Sequence, residues 1–158
     1  MDYRVTREIP VPTMLFLPWV WTDEPRTEKP LLFASRFDGT GLRQGWRLLT
    51  GGIRLYFAVL RAPGALGASV RAHPLSGRYY TLSLWKDEKS LLAFAHGPAH
   101  RKAVTSLAEL GRARGVLASR LADPRRPTWQ GTLRWLGSLE VAPYRHQDEP
   151  PAAGPGRG

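Results

Sequence analysis

Hydrophobic residues in the central part of the chain fall into alternating strand and helix patterns. Residues 31–38 (LLFASRFD) form a short apolar run that Gly39 ends, which predicts a first strand. From residue 42 to residue 61, apolar side chains recur at intervals of three and four, which predicts a helix with one buried side. That side would carry Leu42, Trp46, Leu49, Ile53, Phe57 and Leu60.

The same predicted helix carries its basic residues on a different stripe. Arg43, Arg47, Arg54 and Arg61 lie about 100° or more around the helix axis from the apolar side, at roughly 100° per residue. We interpret them as a solvated flank, and docking on an anionic membrane or partner is the alternative. Gly51 and Gly52 predict a bend or a close backbone contact in this helix.

Residues 66–85 predict two antiparallel strands joined by the turn Pro74-Leu75-Ser76-Gly77. Simple hairpin pairing opposes Arg71 with Tyr80 and Val70 with Thr81. In the later strand, Tyr79, Thr81, Ser83 and Trp85 share one face, and Tyr80, Leu82 and Leu84 share the other. We expect the apolar second set to pack under the helices and the mixed first set to face a cavity.

A helix is predicted to follow this strand. The Asp87 carboxylate can accept a hydrogen bond from a free first-turn N–H, so Asp87 is the expected N-cap. Gly97-Pro98 interrupts the apolar pattern, which predicts a kink or two short helices. Residues 116–121 predict a fourth strand, and Thr128 the N-cap of a short terminal helix.

The succession strand, helix, strand, strand, helix, strand is the order of a ferredoxin-like, split βαβ fold. We therefore predict one α+β domain with an antiparallel sheet over residues 30–142. Residues 1–29 would be a proline-rich N-terminal arm, and residues 143–158 a disordered tail. Because the helices would cover only one face of the sheet, we expect a second copy of the chain to cover the other, giving a homodimer.

Composition narrows the classes of function. The formal charge is +10, but 19 of the 23 basic residues are arginine, a bias typical of GC-rich genomes, and no nucleic-acid-binding signature accompanies the charge. Nucleic acid is therefore not an expected partner. The absence of cysteine excludes disulfides and thiolate chemistry. Apolar runs too short for a membrane span and a charged beginning favour a cytoplasmic protein.

The stretch PGALGASVRAHPLSGRYYTLSLWKDEKSLLAFAHGPAHRKAV (residues 63–104) resembles the dimeric α/β barrel superfamily. The resemblance is to small bacterial proteins of the antibiotic-biosynthesis-monooxygenase-like and spheroidene-monooxygenase-like kinds, with weaker support from DPRRPTW at residues 123–129. It implies a pocket between the sheet and its helices, lined by aromatic residues. It also implies that Trp85 and His100 match the family pattern best, with Phe94 as a pocket wall.

Two departures from the family pattern bear on cofactors. Many relatives have a His or Trp where this chain has Phe94, which cannot transfer a proton. Haem-degrading relatives have an iron-ligating His at about the position of Val104. We therefore expect no cofactor, and haem bound in another geometry, by His96 or His100, is the alternative.

Several side chains are candidates for binding and chemistry. His100 is the candidate general base, and a histidine bonded to a backbone carbonyl at a helix kink is the structural alternative. His96 and His100 have the spacing of two metal ligands, but no acidic third ligand is near, so we expect no metal site. We predict His100 and Trp85 as catalytic residues, and the expected substrate-binding residues are Tyr79, Tyr80, Phe94, Arg71 and Arg36.

Together these features predict a monooxygenase-like oxidoreductase of bacterial secondary metabolism that acts on a bulky aromatic or polyketide-like molecule. A non-redox cyclase, isomerase or dehydratase on the same fold is the first alternative. A small-molecule-binding accessory protein is the second, because fold does not determine function.

Overall fold

The computed structural model of the chain describes residues 15–39, 41–108, 114–122, 127–139 and 142–143. Its strands are β1 (Leu15–Trp21), β2 (Leu31–Asp38), β3 (Ala65–His73), β4 (Arg78–Trp85), β5 (Arg114–Leu121) and β6 (Ala142–Pro143). Its helices are α1 (Gly41–Leu60), α2 (Glu88–Ala95), α3 (Pro98–Ala108) and α4 (Trp129–Gly137), and a 3-10 turn (Pro74–Ser76) joins β3 to β4.

The six strands form one antiparallel sheet in the order β1-β3-β4-β2-β5-β6. The four central strands have the ferredoxin-like arrangement, because β2 lies between β4 and β5. The predicted α+β fold is therefore confirmed, and so is the β3–β4 register, in which Arg71 pairs with Tyr80 and Val70 with Thr81. The order is that of an open sheet, so the described chain does not close a barrel by itself.

The proline-rich segment contains a strand that the sequence pattern did not predict. β1 forms an edge of the sheet by pairing with β3, and the register shifts between Leu17 and Val20, where Pro18 lies. An edge strand with an irregularity is where a sheet tolerates proline. Trp19 packs closely over Gly67 of β3, where an added Cβ would lie 2.6 Å from the indole ring. Residues 1–14 of the predicted arm lie outside the described residues.

Helix α1 presents a different side to the sheet from the predicted one. Trp46 is 67% exposed and Phe57 47% exposed, whereas Gln44, Leu48, Tyr56 and Val59 are buried. Both sets repeat at helical spacing, so periodicity predicted the helix correctly but could not decide which stripe meets the sheet. The helix also continues without a break through Gly51 and Gly52.

The two faces of the sheet carry separate apolar clusters. The cavity face, with Ala68, Val70, Thr81, Ser83 and Trp85, lies under α1, α2 and α3. The α4 face, with Leu32, Ala34, Leu66, Tyr80, Leu82 and Leu84, packs against Leu136 of α4 and against four tryptophans: Trp19, Trp21, Trp129 and Trp135.

This arrangement corrects two expectations. Tyr80, Leu82 and Leu84 lie under the short terminal helix, not under the helices that follow β2 and β4. The face that we expected a second copy to cover is packed by the chain's own α4, because Leu136 and its aromatic neighbours supply the apolar surface that the sheet needs.

The predicted helix ends are confirmed where the structure describes them. The Asp87 carboxylate accepts a hydrogen bond from the backbone N–H of Ser90 at 2.7 Å, and Thr128 caps α4 through the N–H of Gly131. The predicted interruption at Gly97-Pro98 is also confirmed, because α2 ends at Ala95 and α3 begins at Pro98. Residues 144–158 of the predicted tail lie outside the described residues. None of the described helices is both long and apolar enough to cross a membrane.

Candidate active-site cavity

An apolar cavity of about 120 Å³ lies between the cavity face of the sheet and helices α1, α2 and α3. Its aromatic and aliphatic walls include Phe33, Phe37, Tyr56, Trp85, Leu91 and Phe94. Ser35, Thr81 and Ser83 of the sheet also line it. The mixed face of β4 therefore faces the cavity, as the alternation in its sequence predicted.

The polar groups on the sheet side of the cavity are paired with one another. The hydroxyls of Ser35 and Thr81 share a short hydrogen bond. The Nε1–H of Trp85 donates to Oγ of Ser83 at 2.9 Å, and Trp85 is 0% exposed. This pairing satisfies polar groups of the cavity's floor on the sheet side, and it makes Trp85 a buried wall of the cavity with its N–H already satisfied.

Three rings connect this floor to helix α3. The ring centroids of Trp85 and Phe94 are 5.2 Å apart, and those of Phe94 and His100 are 5.9 Å apart. Both separations lie in the range of favourable aromatic contacts. The contacts place the imidazole of His100 in the cavity wall beside an apolar volume.

His100 is held by a hydrogen bond to the backbone. Its Nδ1 lies 2.8 Å from the carbonyl oxygen of Ala95, and a carbonyl can only accept, so Nδ1–H is the donor. The neutral ring then keeps its basic lone pair on Nε2. Burial lowers the pKa of His100, the bond to Ala95 opposes this, and nearby His96 adds to the lowering. Burial and the proximity of His96 both favour a neutral ring with a basic Nε2. The same hydrogen bond to Ala95 would also serve a purely structural role, which is to hold α2 and α3 together.

Tyr56 is a lining residue that the sequence pattern did not indicate. Its hydroxyl donates to the carbonyl oxygen of Pro18 at 3.2 Å, and burial raises the pKa of the phenol. Tyr56 shares the buried stripe of α1 with Val59, three residues later. That spacing was the signal in the sequence that Tyr56 could be buried. The stripe containing Trp46 and Phe57 has helical spacing too, and the sequence pattern predicts it as the buried one.

The structure brings together three of the seven predicted site residues: His100, Trp85 and Phe94. Tyr79 lies on the cavity face but is buried beside Phe37 and Leu48, and it is not among the lining residues. Tyr80, Arg71 and Arg36 lie on the α4 face, where neighbouring strands place them side by side. They therefore do not line this cavity.

The described residues include no group of three histidine, aspartate or glutamate side chains that could hold a metal ion. His96 is exposed at the C-terminal end of α2, whereas His100 lies in the cavity wall. A volume of about 120 Å³ is also below the roughly 300–1,000 Å³ of typical small-molecule sites. Haem is larger than such a cavity, so the described residues do not fit it there.

No protein-family model matches the sequence, and no curated protein is detectably similar to it. Solved structures do match. A conserved protein of unknown function from Bacteroides thetaiotaomicron, suggested to be an oxidoreductase, superposes with a TM-score of 0.53 and 11% identity, over 61% of this chain and 100% of its own. A proposed antibiotic biosynthesis monooxygenase from Deinococcus radiodurans gives 0.50 and 12%, over 62% and 95%.

A third structure is less similar in shape. SnoaB, a cofactor-independent oxygenase from Streptomyces nogalater, has 19% identity over 64% of this chain and 97% of its own, with a TM-score of 0.48. The fold assignment therefore depends on the first two structures. The chain has the fold of the antibiotic-biosynthesis-monooxygenase-like proteins, as the resemblance of residues 63–104 predicted.

Proposed function

We propose that this protein is a cofactor-independent, monooxygenase-like oxidoreductase that binds the aromatic part of a bulky substrate in the cavity. The observation that carries the proposal is the imidazole of His100, whose Nδ1–H is held by a backbone carbonyl, in the wall of an apolar cavity that aromatic rings line in part. The shared fold is consistent with it, because neighbours of this fold include one proposed oxidoreductase and one proposed monooxygenase.

In the proposed reaction, Nε2 of His100 removes a proton from a methylene carbon that an adjacent carbonyl group makes acidic. The resulting carbanion is the reductant for dioxygen, so the substrate itself supplies the electrons. When the methylene becomes a carbonyl, one oxygen atom enters the product and the other leaves as water, which balances atoms and electrons. The base must be unprotonated to act, and burial of His100 favours that form.

The size of the cavity limits how much of a substrate it can hold. An apolar cavity of about 150 Å³ in another protein binds benzene, so about 120 Å³ suits a single ring. A groove of about 460 Å³ lies between α1 and α3 and shares Leu55 and Ala103 with the cavity. Its walls include Arg54 and Lys102. We propose that the rest of a bulky substrate lies in this groove.

Dioxygen uptake tests the proposal most directly. The purified protein is given hydroxylated polycyclic ketones that carry an activated methylene, under air and under nitrogen, with ¹⁸O₂ to label the product. We expect uptake, one labelled oxygen per product, and loss of turnover in His100→Gln but not in His73→Gln, which changes a histidine outside the cavity lining. An absorption spectrum without a Soret band would support a cofactor-free enzyme.

Other outcomes would identify the alternatives. Turnover that is unchanged under nitrogen would overturn the oxygenase proposal and favour a cyclase, isomerase or dehydratase. Binding without turnover, with an affinity that His100→Gln leaves unchanged, would favour an accessory protein.

We also propose that the protein is a homodimer, that it is cytoplasmic and that it acts in secondary metabolism. Sedimentation of the purified chain tests the homodimer.

A further inference from the structure

Arg71 lies on the α4 face of the sheet, opposite the cavity, with its guanidinium between two aromatic rings. The guanidinium carbon is 5.2 Å from the ring centroid of Phe16 on β1 and 4.9 Å from that of Trp129 at the start of α4. These contacts hold the side chain in one place and remove part of its hydration.

The guanidinium has no polar partner among the described residues. Its Nε is buried without a hydrogen bond. By contrast, Arg36 on the same face donates from Nε and Nη2 to the two carboxylate oxygens of Asp38, each at 2.9 Å. A buried donor without an acceptor is costly, and a partly buried charge without a counter-ion more so. Burial accordingly lowers the pKa of Arg71. This is the arrangement expected of a cation whose partner is a ligand.

A cleft of about 550 Å³ adjoins Arg71. Its walls include Phe16, Trp19, Trp129 and Leu133, and none of the described residues that line it is acidic. The Nε1–H of Trp19 is a second buried donor that has no partner in the part of the chain that the structure describes. The first residues of α4 also line the cleft, so the positive end of that helix adds to the potential of Arg71.

Aromatic walls and a guanidinium without a counter-ion among the described residues suit one class of ligand. Apolar walls accept a ring, and a guanidinium binds a carboxylate through two parallel hydrogen bonds. The cation–π contacts alone leave the Nε of Arg71 unsatisfied. We propose that this cleft is a second ligand site, on the far side of the sheet from His100, that binds a small aromatic carboxylate through Arg71.

The test compares two ligands of nearly the same shape, 1-naphthoate and its neutral amide, by isothermal titration calorimetry at low salt. We expect the wild-type chain to prefer the carboxylate by roughly tenfold, which is the effect of one charge-assisted pair. Raising the salt concentration should reduce this preference, because the cleft is open to solvent.

Variants locate the effect. Arg71→Met keeps an apolar stem and should bind both ligands equally, whereas Arg71→Lys should keep only part of the preference. The matched control is Arg120→Met. Arg120 also stacks on a tryptophan of α4, at 4.4 Å from the ring centroid of Trp135, but it does not line the cleft. Arg120→Met should therefore leave the preference for the carboxylate over the amide unchanged.

Several results would overturn the site. They are equal affinity for the two ligands in the wild type, an unchanged preference in Arg71→Met, or an equal loss in Arg120→Met. If Arg71→Met does not fold, Arg71 holds Phe16 and Trp129 together as a structural residue. The comparison of the wild type with Arg71→Lys then decides: the proposal fails unless Arg71→Lys has a smaller preference for the carboxylate over the amide. Because His100→Gln changes the other face, it should not affect this binding.

Discussion

The imidazole Nδ1 of His100 and the carbonyl oxygen of Ala95, 2.8 Å apart, join helices α2 and α3 across the break at Gly97 and Pro98. The proline begins a new helix, and a side chain in the first turn of α3 reaches the last residue of α2. The bond fixes the tautomer of the ring. It also buries a titratable group in the cavity wall, which gives the protein a measurable dependence on pH.

The first prediction concerns stability and pH. Burial lowers the pKa of His100 in the folded chain below the value of about 6.5 expected in the unfolded chain. Below pH 6.5 the unfolded chain therefore binds a proton that the folded chain does not, and the free energy of unfolding falls as the pH decreases towards the folded pKa. Urea unfolding of the wild type and His100→Gln between pH 8 and 5 measures this term.

The variant should lose part of the wild-type decline below pH 6.5, since glutamine does not titrate. His73→Gln, which removes a histidine outside the cavity lining, serves as the matched histidine control. Equal pH dependence in the wild type and His100→Gln would contradict the lowered pKa. If the proposed function is correct, kcat/KM should decrease over the same acidic range because the base becomes protonated.

The second prediction concerns the N-cap of α2. Asp87→Ala removes the acceptor for the N–H of Ser90 and should cost about 1 kcal/mol of unfolding free energy, within roughly 0.5–2 kcal/mol. Asp87→Asn keeps an acceptor oxygen and should cost less. This bond to Ser90 also lowers the pKa of Asp87, so its contribution should be lost as the pH falls through that pKa. Urea unfolding of the wild type and the variants at pH 7 tests the first point, and a pH series that continues well below the pKa of a free aspartate tests the second.

Local signals of this kind were readable in the sequence. Capping by Asp87 and Thr128, the break at Gly97-Pro98 and the β3–β4 register each depend on a few neighbouring residues, and all are found in the structure. The alternation in β4 also placed Thr81, Ser83 and Trp85 on the cavity face, because alternation is a geometric property of a strand.

Features that depend on contacts between distant parts of the chain could not be predicted from the sequence. The apolar stripe of Trp46 and Phe57 looked buried, but the sheet accepts the stripe of Leu48, Tyr56 and Val59. Alternation in β4 placed Tyr80 opposite the cavity, and the β3–β4 register places Arg71 beside it, but no local pattern indicates that a terminal helix covers that face. The pairing of β1 with β3 on either side of Pro18 likewise depends on tertiary packing, which no local pattern indicates.

The third prediction tests whether α4 is part of the core. Leu136 is almost fully buried against the α4 face, so Leu136→Ala should lower the unfolding free energy by about 2–5 kcal/mol. Leu75, in the 3-10 turn, is 72% exposed, and Leu75→Ala should change the free energy of unfolding by less than about 0.5 kcal/mol. Similar effects of the two substitutions in guanidinium unfolding would mean that α4 does not cover the sheet in solution.

The last prediction distinguishes a wall from a reacting group at Trp85. Ser83→Ala leaves the buried Nε1–H of Trp85 without an acceptor, which should cost about 1–3 kcal/mol of unfolding free energy. In a Trp85→Phe background that donor is absent, so the same serine substitution should cost less, and a double-mutant cycle measures the difference as coupling. Ser76→Ala, which removes an exposed hydroxyl, is the matched serine control and should cost little.

A cavity wall should give three results. Ser83 and Trp85 should be coupled in stability, Trp85→Phe should alter the affinity for a ring-shaped ligand, and Trp85→Phe should retain proton transfer. Loss of proton transfer in Trp85→Phe at unchanged ligand affinity would instead assign Trp85 a direct part in the chemistry.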